Sequence, residues 1–250
     1  MKTIKSYVLV LMVLLSVAAC DENESTSTSS TMSNEEAADM VATSLAEEAS
    51  GMTTVVTDAA TTAEEASEAA DGGRTASCGY SESVNLSKTN REGSVITYSY
   101  DYNYDYQMTC NSENEPLTLV SGADFTGSFD APRLASSHTG TSDLNVSALD
   151  EAATSYLVDG SYSRSGSFES KVRNKNTSTS TVLISIDEVT VDKEDKEIVD
   201  GSATVSITGE VPGKGSFSFN GSIVFEGNGK ATLTIDGTTY SVDLESGKVD

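Results

Sequence analysis

The strongest constraint on the fold of this chain is a regular alternation of side chains between Ile96 and Cys110. Every second position there is apolar or aromatic, and the intervening positions are polar. Successive side chains of a strand point to opposite faces, so a period of two indicates one long strand with an apolar and a polar face. The apolar face carries Ile96, Tyr98, Tyr100, Tyr102, Tyr104, Tyr106, Met108 and Cys110.

Five neighbouring rings on that strand form what we call the tyrosine row: Tyr98, Tyr100, Tyr102, Tyr104 and Tyr106. One interpretation is core packing, with hydroxyls that reach polar partners. The other is a ligand face, since tyrosine offers a broad ring with a polar tip to sugars or other flat ligands. Core packing is the preferred interpretation, because so many rings on one face must bury apolar surface.

Turn signals near the C-terminal end predict how the strands pair. Asp236-Gly237 is a two-residue signal for a type I′ hairpin, and further turns are expected at 226–229 and 212–214. A change of parity after Ile186 predicts a β-bulge near Asp187-Glu188. The expected pairs are Ile235–Thr238, Leu233–Tyr240, Ala231–Val242, Phe225–Ala231, Ile223–Leu233, Val211–Phe217, Val205–Ile223, Ala203–Phe225, Val189–Val205 and Val191–Ala203.

These patterns predict a mainly β (α+β) protein whose residues 73–250 form an antiparallel meander of nine or ten strands. A sheet of this width with one apolar face must close on itself, fold into a sandwich or be covered by helices. We expect a strongly curved, barrel-like or sandwich-like sheet, with an Ala-rich N-terminal helical segment against one face or end.

That helical segment is expected over residues 33–72. Ser33 and Glu36 form a capping-box pattern, and Gly51 interrupts the helical periodicity. Residues 21–73 contain no Lys, Arg or His. The apolar stripe is thin and rich in alanine, so the segment is either a solvated helix or a loosely packed arm for a basic partner; the solvated helix is preferred.

The N-terminus carries an export pattern. Met1–Lys5 is positively charged, and Tyr7–Val17 is apolar apart from Ser16, which is too short for a membrane-spanning helix. The segment ends in Val17-Ala18-Ala19-Cys20 and resembles the lipobox of bacterial lipoproteins. The resemblance implies a signal peptide at 1–19, cleavage before Cys20, and a diacylglycerol with further acylation at Cys20. Residues 20–32, rich in Ser and Thr, would then be a tether.

The resemblance also implies a place in the cell envelope. Asp21, Glu22 and Glu24 follow the lipidation site closely. In enteric-type sorting, Asp after the cysteine implies retention at the inner membrane, whereas in Bacteroidota-type lipoproteins acidic residues there resemble a surface-export signal. The acidic, β-patterned chain favours the outer membrane or cell surface.

Two further cysteines, Cys78 and Cys110, form an even pair in an exported chain, so we expect a disulfide bond between them. A turn near Asn90 would place Cys78 opposite Tyr104. The bond therefore requires that Cys78 precedes its strand or that a bulge shifts the register.

Composition excludes several functions. A formal charge of −24 leaves no basic patch for nucleic acid, and the chain is too polar for a bundle of membrane spans. Its single histidine, His138, rules out a histidine-rich zinc site and argues against a Ser/His triad. Asp101, Asn103 and Asp105 imitate a calcium loop, but Tyr106 replaces the required glycine. We therefore predict no catalytic residues, metal or cofactor.

These observations favour a lipid-anchored envelope protein that is a non-catalytic binding or structural module. Its partners would be the membrane, through the lipid, and a basic protein or small ligand. Two alternatives stay open. One is an envelope hydrolase, which needs a cleft with convergent acids of perturbed pKa. The other is a carrier of an apolar ligand inside the sheet, which needs an unfilled apolar cavity.

Overall fold

The structure, a computed structural model, describes residues 31–71, 78–90 and 95–250. Within these ranges the chain forms one ten-stranded antiparallel sheet in which the strands lie in chain order. The predicted mainly β antiparallel meander is thus confirmed. The strands are β1 (Ser81–Thr89), β2 (Thr97–Cys110), β3 (Pro116–Asp130), β4 (Leu134–Ser147), β5 (Ser155–Ser170), β6 (Thr177–Asp192), β7 (Ile198–Val211), β8 (Gly215–Gly227), β9 (Lys230–Ile235) and β10 (Thr238–Asp243).

Two helices precede the sheet. Helix α1 (Asn34–Leu45) begins at the predicted capping box. The Ser33 hydroxyl accepts a hydrogen bond from the backbone N–H of Glu36, and the Glu36 carboxylate accepts one from the backbone N–H of Ser33. A short 3-10 helix (Glu47–Ala49) follows, and then α2 (Met52–Asp71). The predicted interruption is confirmed: α1 ends at Leu45, α2 begins at Met52, and Ser50 between them has a left-handed φ of 51°. Gly51 fits there because it has no side chain: a Cβ would lie 2.6 Å from the Ser44 carbonyl oxygen.

The helices form the core together with the inner face of the sheet. Helix α1 contacts β4, β5, β6, β9 and β10, and α2 contacts β3, β4 and β5. Along α1 even Glu36 and Asp39 are buried, and the alanines of both helices are fully enclosed up to Ala63. The helical segment is therefore not a loosely packed arm, and for α1 the preferred interpretation as a solvated helix is wrong as well, because its acids Glu36 and Asp39 are buried with the rest of the helix. Its small side chains let the helix backbone lie close to the sheet, which makes a thin apolar stripe sufficient.

The two edge strands, β1 and β10, do not pair with each other, so the sheet is not closed. The edge of β10 is covered by the end of the chain, where Val249 pairs with Val242, and Ser241 and Asp250 exchange two backbone hydrogen bonds. The edge strand β1 is polar and exposed along most of its length. Charged and polar edges of this kind discourage strand addition.

The expected strand pairing is confirmed around the last two turns. Thr238 pairs with Ile235 across the Asp236-Gly237 turn, and both turn residues have positive φ as a type I′ turn requires. The pairs of β8 with β9 are also as expected. The predicted bulge is present between Asp187 and Thr190, with Glu188 at φ 48°.

Other predicted pairs are wrong. In β7 and β8 the register differs by two residues: Val211 pairs with Gly215, Ala203 with Ile223, and Val205 with Gly221. Because the side-chain period is two, this shift leaves every residue on its predicted face. The turn at 212–214 is simply tighter than expected. The expected pairs of Val189 with Val205 and of Val191 with Ala203 are wrong as well, since Ile184 and Ile186 pair with Val205 and Ala203 instead. Val191 pairs with Ile198 of β7.

Two glycines of the inner face lie under aromatic rings. Gly127 is opposite Tyr100, and a Cβ there would lie 2.4 Å from that ring. Gly140 is opposite Phe125, and a Cβ there would lie 2.1 Å from the Phe125 ring. Because these glycines have no side chains, the two rings can lie flat against the neighbouring strands.

Candidate functional site

The tyrosine row lies inside the molecule. Tyr100, Tyr102, Tyr104 and Tyr106 are buried, and only Tyr98 is partly exposed. The Tyr102 hydroxyl donates to the Ser50 carbonyl at 2.9 Å, and the Tyr104 hydroxyl donates to the Asp58 carboxylate at 2.7 Å. These bonds join β2 to the helical segment. The buried rings therefore act as core residues that hold the helices, as the preferred interpretation expects.

The electrostatics of the row agree with that role. Burial raises the pKa of the Tyr104 hydroxyl, and the negative charge of Asp58 raises it further. Burial likewise raises the pKa of Tyr106 to about 12. Lys88 of β1 makes an ion pair with the same Asp58 carboxylate. Asp58 thus connects α2 to both β1 and β2.

A fully buried cation, Arg164 of β5, lies at the centre of the core. Its guanidinium donates to the carbonyl oxygens of Thr43 at 3.2 Å, Ala49 at 3.0 Å and Ser50 at 2.6 Å. These carbonyls end α1 and the 3-10 helix, where the helix dipole is negative. Four rings surround the guanidinium at 5.4–6.0 Å: Tyr100, Phe125, Phe129 and Tyr162.

His138 lies beside this group and belongs to the buried core. Its ring is buried, stacks on Phe168, and hydrogen-bonds the Ser136 hydroxyl through Nδ1 at 2.7 Å and the Tyr100 hydroxyl through Nε2 at 3.1 Å. Burial, and then the charge of Arg164, lower the pKa of His138 to about 2. The imidazole is therefore neutral at physiological pH and serves as a hydrogen-bonded core residue.

The predicted disulfide bond between Cys78 and Cys110 is present, with 5.7 Å between the Cα atoms. Cys78 precedes β1, which was one of the two ways to reconcile the bond with the register. The pairing of Ser81 with Gln107 differs from the register expected for a turn near Asn90 and brings the two cysteines opposite each other. The predicted lipidation site, Cys20, lies outside the described residues.

An open cleft of about 360 Å³ lies beside Tyr98, the partly exposed member of the row. Glu47 and Glu48 of the 3-10 helix and Glu245 of the C-terminal loop line it, and backbone hydrogen bonds join that helix to the loop. Partial burial, and then repulsion from Glu245, raise the pKa of Glu48. The Glu47 and Glu48 side chains nevertheless remain exposed to water.

A second cavity, which we call the outer groove, has a volume of about 540 Å³. It lies on the face of the sheet that points away from the helices. It crosses β1 to β5. Cross-strand pairing arranges most of its polar side chains in two parallel rows. One row is Asp101, Thr126, Thr139 and Ser165, and the other is Asn85, Asn103, Asp124, Thr141 and Ser163.

The described ranges offer no sign of a metal centre or of a membrane-spanning helix. No group of three or more His, Cys, Asp or Glu in residues 31–71, 78–90 and 95–250 could hold a metal ion. Neither helix in this part of the chain has the length and apolar content needed to cross a membrane.

Sequence reasoning missed Arg164 and the outer groove. The signal for Arg164 was its place in the alternation of β5. Like Tyr162 and Phe168 it is an even-numbered residue, and these side chains all face inward. The groove could not be recognised because its rows depend on the register of five strands. Comparison of the chain with protein-family models, with curated proteins and with solved structures finds no match to any of them.

Proposed function

We propose that this protein is a lipid-anchored protein of the bacterial cell envelope, displayed at the outer membrane or cell surface through Cys20. Its β body would be a non-catalytic module that binds through its exterior. The observation that carries the non-catalytic part is the filled inner face: α1 and α2 occupy it, and the only histidine is enclosed there as a neutral residue. The anchor rests on the lipobox resemblance.

We also propose that the sheet is strongly curved around the helices. Support comes from α1, whose residues are buried on every side of the helix from Glu36 to Leu45. The same helix contacts strands in the middle of the sheet and strands at its β10 end. A flat sheet would cover one side of a helix only. Because the helices take up this space, the alternative of a carrier for an apolar ligand has little support.

The hydrolase alternative is favoured by one observation, the Tyr98 cleft with the raised pKa of Glu48. Against it, Glu47 and Glu48 are open to water, whereas a general acid needs a protected site. Replacement Glu48→Gln decides the question in an assay against a panel of aryl glycosides. We expect no turnover above background with either form; turnover that disappears in Glu48→Gln would establish the hydrolase.

Radiolabelled palmitate tests the anchor directly. We expect label in the full chain expressed in a bacterial host, and no label after Cys20→Ala, because the thiol is the acceptor. The replacement Cys78→Ala is the matched control and should leave labelling intact, since that cysteine belongs to the disulfide bond. Equal labelling of the native chain and Cys20→Ala would overturn the proposal.

A further inference from the structure

The outer groove has the form of a preformed binding site. Its side chains project from strands that are paired on both sides, except at the edge strand β1, so their positions are fixed by the sheet. A ligand bound there would order little of the protein, which lowers the cost of binding. The groove also faces away from the helices and is open to solvent: Asp101, Asp124, Thr139 and Thr141 are exposed.

The chemistry of the groove excludes several ligand classes. Asp101 and Asp124 are its only charged lining residues, so phosphates, sulfates and uronates are repelled. The rings of Tyr102 and Phe125 point to the inner face, which removes the stacking surface that a flat aromatic ligand needs. What remains is a set of carboxylate, carboxamide and hydroxyl groups in a lining whose accessible surface is otherwise largely apolar.

Two ligand classes then remain, a cation and a polyol, and the groove's mixture of hydrogen-bond donors and acceptors favours the polyol. A cation would use the carboxylates but would give the N–H groups of Asn85 and Asn103 no acceptor. A polyol supplies donors to Asp101 and Asp124 and acceptors to the amides. Each threonine of the groove also brings a methyl group beside its hydroxyl, which suits the C–H surface of a sugar ring.

We propose that the outer groove binds a neutral carbohydrate chain. This inference rests on the proposed function only in taking the β body to be a binding module, and it assigns that module a ligand class. Because sugar stacking on aromatic rings is absent, single contacts are weak. We therefore expect a dissociation constant of about 1 mM for a short oligosaccharide.

Saturation-transfer NMR on the full lipidated chain tests the proposal, in a detergent without a sugar headgroup. The neutral probes are hexasaccharides of β-1,4-glucose, α-1,4-glucose, mannose and xylose; hexagalacturonate and hexalysine are the charged probes. We expect at least one neutral probe to bind and hexagalacturonate not to bind. Absence of binding by all four neutral probes at about 10 mM, or binding of hexalysine alone, would overturn the proposal.

Variants then locate the binding. The double replacement Thr139→Val and Thr141→Val removes two hydroxyls from the groove and keeps the shape and strand preference of the side chains. The matched control is Thr204→Val with Thr208→Val on the exposed outer face of β7. We expect at least about tenfold weaker binding for the groove variant only; equal binding by both variants would refute the site. Palmitate labelling is measured separately, so a failed anchor leaves this result unaffected.

Discussion

At the scale of single residues, Arg164 determines how the helical segment attaches to the sheet. A buried cation is costly unless its charge and donors find partners. Here Nη1 and Nη2 donate to three backbone carbonyls that end helices, four ring faces surround the charge, and no carboxylate is among these partners. The Nε atom has no hydrogen-bond partner among the described residues. One side chain of β5 therefore fixes the ends of α1 and the 3-10 helix.

Replacement Arg164→Met should destabilise the protein by about 3–5 kcal/mol, because it removes a buried partner and leaves several carbonyls without donors. Urea unfolding measures the change. The control is Arg173→Met, which removes an arginine that is 54% exposed and ion-paired to Glu35. That variant should lose less than about 1 kcal/mol. Similar losses for the two variants would show that Arg164 does not hold the helices.

His138 should make stability depend on pH. Its folded-state pKa of about 2 lies below the unfolded value of about 6.5, so only the unfolded chain takes up a proton between those values. Stability from this residue is complete above pH 6.5 and is lost as the pH falls. We expect the native chain to lose about 1.4 kcal/mol per pH unit relative to His138→Gln between about pH 6 and 4. Parallel stability curves for the two chains would contradict the assignment.

At the scale of strands, pairing of glycine with an aromatic ring shapes the inner face. The contacts of Gly140 with Phe125 and of Gly127 with Tyr100 leave no room for a Cβ atom. Gly122 of β3 is different, because it belongs to the outer face and a Cβ there would lie 3.9 Å from its nearest neighbour, the Asp105 carbonyl oxygen. The two kinds of glycine allow a matched comparison.

Gly140→Ala should destabilise the protein by about 1–3 kcal/mol through overpacking against the Phe125 ring and the Ser163 carbonyl oxygen. Gly122→Ala should instead stabilise it by about 0.5 kcal/mol, because alanine loses less backbone entropy in a strand. Thermal and urea unfolding of both variants measure the difference. A neutral effect of Gly140→Ala would mean that the ring moves aside freely.

At the scale of the whole molecule, charge is separated between the two faces of the sheet. From β2 to β8 the only Lys or Arg within a strand is Arg164, which faces inward. Acidic residues are spread over the outer face of the same strands. They are Asp101, Asp105, Asp124, Asp130, Asp143, Asp159, Glu169, Asp187, Asp200, Glu210 and Glu226.

Salt should therefore stabilise the fold. The formal charge is −24, and the proposed removal of residues 1–19 would take away Lys2 and Lys5 and make it −26. An increase from about 0.01 M to 0.15 M salt shortens the screening length from about 30 Å to about 8 Å and weakens repulsion among the acids. We expect the midpoint of thermal unfolding to rise over this range. A fall would mean that ion pairs such as Arg133–Asp39 dominate instead.

The strands, their faces and several turns were predictable because they depend on neighbours in the sequence. The alternation from Ile96 to Cys110 predicted which side chains of β2 face inward, and Asp236-Gly237 predicted the hairpin between β9 and β10. The error of two residues between β7 and β8 marks the limit of that information. Side-chain parity does not change with such a shift, so the pattern fixes a face and leaves the register to the length of the turn.

Local periodicity and turn chemistry thus determined by themselves which residues lie inward and where the helices break, whereas the count of cysteines left beside Cys20 determined which cysteines pair. Only the tertiary structure decided what covers the inward face, which carbonyls Arg164 binds and which polar side chains share the outer groove. The reason is physical: periodicity reports contacts within a few residues, whereas Arg164 meets Ser50 and Asp124 meets Thr141 only after distant segments pack.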